Sequence, residues 1–344
     1  MSQSTHDCRI EDKVAFLGRP EAYPDEQPAR VEVIETHMSW VFLTDAHAYK
    51  LKKPVRYEFL DFSTLEARGR DCAAEVRLNR RLAPNTYLGA LPLNLDDQGR
   101  LTLGDGGRIV DWVVKMRRLP AERMLDLVIR ERRLRPTDTL AVAEHLAAFY
   151  SRCEPVALSP DRYRARLCKD ITANLEALSE PLHEPDDGQL GRIGKALLGL
   201  LSSEPERFDA RVSGGHVVEG HGDLRPEHVC LEDPPVIFDC LEFDRRLRTL
   251  DAADDLAFLA MECDRLDAPE VGDTLYRVYE EHCGDRPEGR LIAFYKSRQA
   301  CLRAKLALWH IFELPTDEWE PWRDKARSYL ALAEDLARQC QGDR

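Results

Sequence analysis

Nowhere among the 344 residues does an apolar run approach the roughly 20 that a membrane-spanning helix needs. The opening MSQSTHDCRI has neither a basic n-region nor an apolar h-region, so secretion is not indicated and a cytoplasmic protein is expected. The ten cysteines include no CxxC pair and no secreted-domain spacing; they read as free thiols, many of them buried. There is no GxxxxGK[ST], which removes P-loop chemistry, and no GxGxxG to cover phosphates. Fixed-period repeats and low-complexity tracts are absent as well. Basic charge is short: the net charge of -13 argues against a general nucleic-acid binder, which needs a cationic face for phosphate.

What is present is a composition of ordinary globular balance, 43% hydrophobic and 32% charged, in a chain long enough for two lobes. The acid excess is concentrated. Between Cys230 and Arg290 stand 17 Asp and Glu against 7 Arg, which reads either as a solvated acidic surface or as an acidic cleft for metal or a cationic substrate.

An N-terminal segment, 1–29, ends in the proline-rich PEAYPDEQPA. VEVIETHMSWVFLTDAHAYKLKKP then carries β-branched and aromatic residues interrupted by TDA, the pattern of successive antiparallel strands. STLE from Ser63 is a capping-box pattern that starts a helix running to about Leu82, before Pro84. Short strands follow around 87–103, then a DGG turn at 105–107 and the apolar run IVDWVV at 109–114. After Met124 the pattern becomes helical, over 137–151, 162–179, 189–202, 253–265, 271–283 and a long pair within 288–340, with one strand-rich island at 216–239. This is an α+β plan of two lobes: an N-lobe at 30–114, a hinge at 115–120 and a helical C-lobe at 121–344 carrying a strand-rich motif at 216–244.

The island holds the chemistry. In GHGDLRPEHVCLEDPPVIFDCLEFD, HVCL and VIFD are strand-like around the turn EDPP, and pairing Leu231 with Val236 sets His228 opposite Asp239, about 5 Å apart. Asp223 precedes His228 by five residues. Two carboxylates and a further ligand about one point are what magnesium-dependent phosphoryl transfer requires: one holds the metal against phosphates, another orients a hydroxyl and accepts its proton. A zinc reading of His216, His221, His228 and Cys230 fits no usual structural-site spacing.

The order D-x-x-x-x-H, hairpin, D follows the kinase order D-x-x-x-x-N, DFG. HGDLRPEH resembles the HGDxxxxN loop of the aminoglycoside phosphotransferase and choline kinase superfamily, FDCLEFD stands where that superfamily has its metal-binding aspartate, and LDAADDLAFLA resembles its D-x-x-x-DLA helix. AYKLKKPV, LDFSTLE, RLNRRLAP and GHGDLRPEH together are similar to an uncharacterised bacterial aminoglycoside-phosphotransferase-like family, over about 30–335. Some of its members join this region to a separate P-loop kinase domain. The resemblance implies a protein-kinase-like fold, ATP or GTP as co-substrate with Mg²⁺, and transfer to a small-molecule hydroxyl. It implies Asp223 as base and Asp239 and His228 as metal ligands. His228 in place of Asn departs from the pattern and points toward Mn²⁺ tolerance, water-mediated coordination or weakened catalysis.

On a strand, Ala48, Lys50 and Lys52 share one face, and Tyr49, Leu51 and Lys53 the other. Ala48-Tyr49-Lys50 resembles the A-x-K of a kinase third strand, making Lys50 the phosphate-binding cation and Lys52 its alternative. Glu75 projects from an apolar helical stripe with Cys72, Leu78 and Leu82 and needs a cationic partner, so it pairs with Lys50. Amides near Thr36–Ser39 and the Ser39 hydroxyl are candidates to cover phosphate, and backbone groups of Lys115 and Arg117 to meet a nucleobase edge. His221 and Asp255 read as loop-bracing groups, Arg225 as a phosphate or substrate contact, and Glu242 and Asp244 as second metal ligands or solvated carboxylates. Two other readings fit the same residues: a nucleotide-binding regulator without catalysis, and a nucleotidyl transferase on the same fold.

Overall fold

The computed structural model describes residues 8–57, 60–104, 106–179 and 188–342; Asp105, the first residue of the expected DGG turn, lies outside them. The chain forms two compact units. One comprises the chain up to Arg123 together with Val236–Arg245; the other comprises Met124–Pro235 and everything from Arg246 onward.

The first unit is built on a six-stranded antiparallel sheet. After α1 (Ile10–Leu17) come β1 (Glu32–Glu35), β2 (Ser39–Leu43) and β3 (His47–Lys52), then a short ribbon of β4 (Arg56–Tyr57) and β5 (Leu60–Asp61). Helix α2 (Leu65–Asn79) precedes β6 (Tyr87–Leu95), β7 (Leu101–Leu103) and β8 (Arg108–Arg117), and the sheet order is β1-β2-β3-β8-β6-β7. Strand β8 runs through Arg117, so the first three residues of the expected hinge are strand, paired with His47, Ala48 and Tyr49.

Helix α2 starts one residue later than STLE suggests. Asp61 Oδ1 accepts both the amide and the hydroxyl of Ser63, and Thr64 becomes the cap, its Oγ1 accepting from the Ala67 amide at 3.1 Å.

The N-terminal segment belongs to this core. Leu17, Ala22 and Tyr23 pack with Phe42, Tyr49, Leu51, Leu93, Val110 and Val113. Apolar residues on the face of β3 opposite the lysines are thereby removed from water, each fully buried side chain contributing about 1.5–3 kcal/mol. Two ionic anchors fix the segment. Lys13 reaches the fully buried Asp111 at 2.7 Å, and Arg68 of α2 approaches the same carboxylate through two nitrogens at 2.7 and 3.0 Å. Glu26 accepts from the Thr44 hydroxyl at 2.7 Å and from the Tyr49 hydroxyl, with His47 Nδ1 at 2.9 Å.

The second unit is helical. It contains α3 (Leu125–Arg130), α4 (Pro136–Tyr150), α5 (Pro160–Leu178), α6 (Gln189–Ser203), α7 (Pro205–Ser213), α8 (Ala252–Arg265), α9 (Glu270–Cys283), α10 (Gly289–Trp309) and α11 (Glu320–Gln341). Proline opens α4, α5 and α7 at the first helical position, where a missing N–H leaves no bond unmade. Leu197, Phe258, Phe294, Ala304 and Tyr329 lie in one core drawn from α6, α8, α10 and α11. Val217–Glu219 pairs with Thr249–Asp251, and the Asp251 side chain caps α8 by accepting from the Ala253 amide at 2.9 Å. Among the described residues no helix is long and apolar enough to cross a membrane.

The concentrated acids of 230–290 divide: six of the seventeen are exposed, as on a solvated surface, and five are buried. Asp251, Asp254, Asp255, Glu262 and Asp285 are buried, and most are paired with bases from outside the stretch: Arg211 holds Asp251 and Asp285, Arg298 holds Asp254, and Arg303 holds Glu262.

Two outcomes follow from the N-terminal anchors. Asp111→Ala leaves two buried cations without their carboxylate and should lower urea stability by about 3–5 kcal/mol at unchanged m-value, whereas Asp12→Ala, at an exposed pair, should leave it near wild type. Burial alone would raise the pKa of Glu26, but hydrogen bonds from Thr44, Tyr49 and His47 outweigh it and hold it down at about 2. A carboxylate depressed in the folded state contributes stability above its unfolded value near 4.5 and loses it as pH falls toward 2. Glu26→Gln should therefore flatten the thermal midpoint against pH across that window; an unchanged slope would show that Glu26 is not responsible.

Candidate phosphotransferase site

Strand alternation delivers Lys50 and Lys52 to one face of β3, and α2 offers them Glu75. Glu75 has no exposed surface, and its two oxygens divide between the lysines: Oε1 accepts from Lys50 at 3.0 Å, Oε2 from Lys52 at 2.6 Å. Lys50 also reaches Asp239 Oδ1 at 2.8 Å. Lys52, almost wholly buried, donates to Glu75 and Glu242 and lies 2.7 Å from Asp71, so three carboxylates surround its ammonium. Asp71, Glu75 and Glu242 are spaced closely enough to hold a cation, and the cation they hold is Lys52. Burial would depress both lysines; Asp239, Glu75 and Glu242 around Lys50, and Glu242, Glu75 and Asp71 around Lys52, instead hold both ammonium groups well above the ordinary lysine range.

The segment carrying Asp239 is fixed by the same helix and by β6. The Cys240 amide donates to Asn79 Oδ1 at 2.9 Å and the Asp239 amide to the Tyr87 hydroxyl at 3.2 Å. Asp239 adopts φ of +62°, a left-handed conformation uncommon outside glycine and concentrated at functional positions. Its side chain is 39% exposed, the most open of the group, and a carboxylate oxygen is a donor that suits Mg²⁺. These contacts also explain why 236–245 groups with the sheet unit rather than with the helical residues that flank it in sequence.

Other nucleotide candidates in this unit are engaged locally. The Ser39 hydroxyl lies 3.0 Å from Thr36 Oγ1, which also accepts the Ser39 amide, and the Thr36 amide donates to the Ser39 carbonyl. Lys115 turns its ammonium to Glu26 at 3.5 Å and over the Tyr49 ring, and the Arg117 amide donates to the Thr86 carbonyl.

The second unit holds the loop. Gly222 takes φ of +83°, and a Cβ at Gly220 would stand 2.3 Å from Asp255 Oδ2, so both positions require glycine. Fully buried Asp255 enters the space so provided and accepts the amides of His221 at 2.6 Å and Gly222 at 3.0 Å and the Tyr150 hydroxyl at 2.8 Å. Burial raises its pKa, with His221 and these hydrogen bonds opposing.

The shaped loop presents Asp223, 2.9 Å from Arg225 Nε. Against the effect of burial, Arg225, His228, Arg303 and His221 lower its pKa below the usual aspartate value, keeping a carboxylate at neutral pH. His221, buried, accepts the Asp223 amide at Nδ1, 3.3 Å away. His228 ends a 3₁₀ turn, Pro226–His228, instead of lying in the strand. Its Nδ1 lies 2.9 Å from the Asp223 carbonyl oxygen, which fixes it as the donor, and Nε2 accepts from Arg225 at 2.9 Å. A ring so placed braces the loop; to ligate a metal it must release Arg225. Asp244 is half-buried at the end of the 236–245 segment.

Several residues here had not been singled out from sequence. Asp71 and Asn79 lie at i−4 and i+4 of Glu75, a polar stripe on α2 that helical spacing could have revealed. Tyr87 and Arg303, contributed from distant sequence, had no local signal.

This fold, a curled antiparallel sheet with its helices and a helical region, matches that of kinase-like choline/ethanolamine kinase and aminoglycoside phosphotransferase structures. A choline/ethanolamine kinase family protein of Mesorhizobium loti matches with a TM-score of 0.54 at 15% identity, covering 96% of this chain and 98% of that one. A thermostable mutant of aminoglycoside phosphotransferase APH(4)-Ia gives 0.53 at 13% identity, with 91% and 96% covered. Uncharacterised proteins of Mycobacterium tuberculosis and Mycobacterium bovis are 34% identical over 303 residues, 84% of this chain. The chain spans 57% of the length of these relatives. No protein-family model matches the chain.

The lysine pair should separate stability from binding. Lys52→Met strips three carboxylates of their shared cation and should lower urea stability by about 3–5 kcal/mol, whereas Lys50→Met, whose partner Asp239 remains accessible to water, should cost less than half of that. Equal losses would show that the Lys52 cluster is not the buried anchor.

Proposed function

We propose that the protein transfers the γ-phosphoryl group of ATP or GTP to a hydroxyl of a small molecule. The observation that carries this reading is the Lys50–Glu75–Asp239 arrangement: a cation oriented by a buried helix carboxylate beside a partly exposed aspartate in strained backbone. Lys50 is the group that binds phosphate, Glu75 orients it, and Asp239 is the residue that would hold Mg²⁺, or Mn²⁺ in its place. The metal, when bound, neutralises charge on the phosphates and leaving group. Asp223, kept ionised by its cationic neighbours, orients the acceptor hydroxyl and takes its proton as oxygen bonds to phosphorus and the nucleoside diphosphate departs. Likeness to choline/ethanolamine kinase and aminoglycoside phosphotransferase structures supports the fold on which such transfer occurs.

A nucleotide-binding regulator is the second reading, and the observation that favours it is His228, whose ring nitrogens are both engaged by the loop. Labelled nucleotide separates the two. With γ-labelled ATP, Mg²⁺ and a metabolite extract, wild type should form a labelled product. Asp223→Asn should reduce its turnover at least about a hundredfold with nucleotide affinity nearly intact, and Lys50→Ala should weaken nucleotide binding far more than Lys53→Ala. Nucleotide binding without label transfer would establish the regulator instead; transfer of label from the α-position would establish a nucleotidyl transferase.

A further inference from the structure

Helices α8, α10 and α11 assemble a second group of charges in the unit that holds Asp223. Glu262 of α8 has no exposed surface. Its carboxylate accepts from Arg303 Nε at 2.8 Å, from Arg265 Nε at 3.0 Å and from the Tyr329 hydroxyl at 2.8 and 2.9 Å. The Tyr329 ring lies 5.0 Å from the Arg265 guanidinium and 5.6 Å from that of Arg303. One buried carboxylate and one ring thus hold two guanidinium groups through their inner nitrogens. Among the described residues, no hydrogen bond engages the terminal nitrogens of either.

Lys325 of α11 adds a third cation. It makes no hydrogen bond or ion pair among the described residues, and its ammonium stands 5.0 Å from the Trp322 ring. Burial lowers its pKa first, and repulsion from Arg303 and Arg265 lowers it further, against weaker attraction from Glu262 and Glu227. Helix α8, which carries Glu262 and Arg265, packs against the Pro226–His228 turn of the loop, and the charge of Arg303 acts on both Asp223 and Arg225. Two guanidinium groups anchored by one carboxylate, with Lys325 as a third cation, leave five nitrogens without a hydrogen bond among the described residues and form an anion-binding arrangement. Asp251, Asp254 and Asp285 are bonded to Arg211 and Arg298, and the carboxylates that act on this group are Glu262, Glu227 and Asp223.

We infer that the hydroxyl acceptor carries an anionic group, a phosphate or carboxylate, which Arg265, Arg303 and Lys325 bind. The inference rests on Asp223 as the point of transfer and reverses the cationic substrate suggested by linear charge. With the phosphate cation Lys50 in the other unit, these side chains remain for the acceptor.

The test uses glycerol 3-phosphate and glycerate as anionic probes, choline and ethanolamine as cationic ones and glycerol as the neutral control. Binding is titrated calorimetrically without nucleotide, and label transfer from γ-labelled ATP is scored separately. An anionic probe should bind where choline, ethanolamine and glycerol do not. Its affinity should fall at least about tenfold in Lys325→Met and in Arg265→Met, and recover in Lys325→Arg, with thermal midpoints confirming that each variant is folded. Preference between the two anionic probes tells phosphate from carboxylate. Failure of both to bind, or affinity unaltered in both methionine variants, overturns the inference. Transfer of label to choline, ethanolamine or glycerol alone overturns it while leaving the phosphotransferase reading intact; anion binding with no transfer to any probe upholds the anion site and counts against that reading.

Discussion

A single buried carboxylate organises the sheet unit. Glu75 has no access to water, and an ionised group in that position persists only with cations at hydrogen-bond distance. β3 supplies two, because Lys50 and Lys52 are two residues apart and emerge on the same side. Each lysine then has donors left over, and these reach Asp239 and Glu242 on a segment nearly 190 residues away in sequence. The requirement to neutralise Glu75 thus fixes helix to sheet and aligns the segment that bears the candidate metal ligand. Asn79 and Tyr87 complete the alignment through its backbone amides.

Most of this was legible where a period or a local rule applied. Strand alternation placed Lys50 and Lys52 on one face, and an acid on an apolar stripe marked Glu75 as needing a cation. The long helices were visible from their spacing, for instance 189–202 against Gln189–Ser203. What escaped was non-local. The segment 1–29 carries no strong pattern of its own, yet Leu17, Ala22 and Tyr23 cover one face of the sheet, and Glu26 gathers Thr44, His47 and Tyr49. Lys115 was read as the start of a hinge at 115–120 between the two lobes; in the fold it sits within β8, turned toward Glu26. Ser63 lost the capping position to Thr64 because a nearby aspartate competes for its hydroxyl, a choice that propensity alone does not resolve.

Charge was the least transferable signal. Counting along 230–290 gives a strongly acidic stretch, but α7 and α10 bring Arg211, Lys296, Arg298 and Arg303 against five of its acids, four of them buried. Pairing of this kind is invisible in one dimension, because the bases lie outside the window that contains the acids. The same rearrangement leaves cations near Asp223 where a linear count suggests anions, and against burial those cations, Arg225 foremost, lower its pKa.

The two groups of charges, one in each unit, therefore have opposite formal balances, and under the proposed function each suits a different reactant. In the sheet unit Lys50 and Lys52 face Asp71, Glu75, Asp239 and Glu242, two cations against four carboxylates. A residual charge of two negatives, with Asp239 the most open member, is what a divalent cation neutralises, and oxygen donors favour a hard one. In the helical unit Arg225 and Arg303 act on Asp223, and together with Arg265 and Lys325 beside Arg303 they outnumber Asp223, Glu227 and Glu262. An anionic acceptor corrects that imbalance, whereas a cationic one would worsen it. Arg225 and Arg303 also lower the Asp223 pKa, so that a carboxylate stands there at neutral pH, as the proposed base requires.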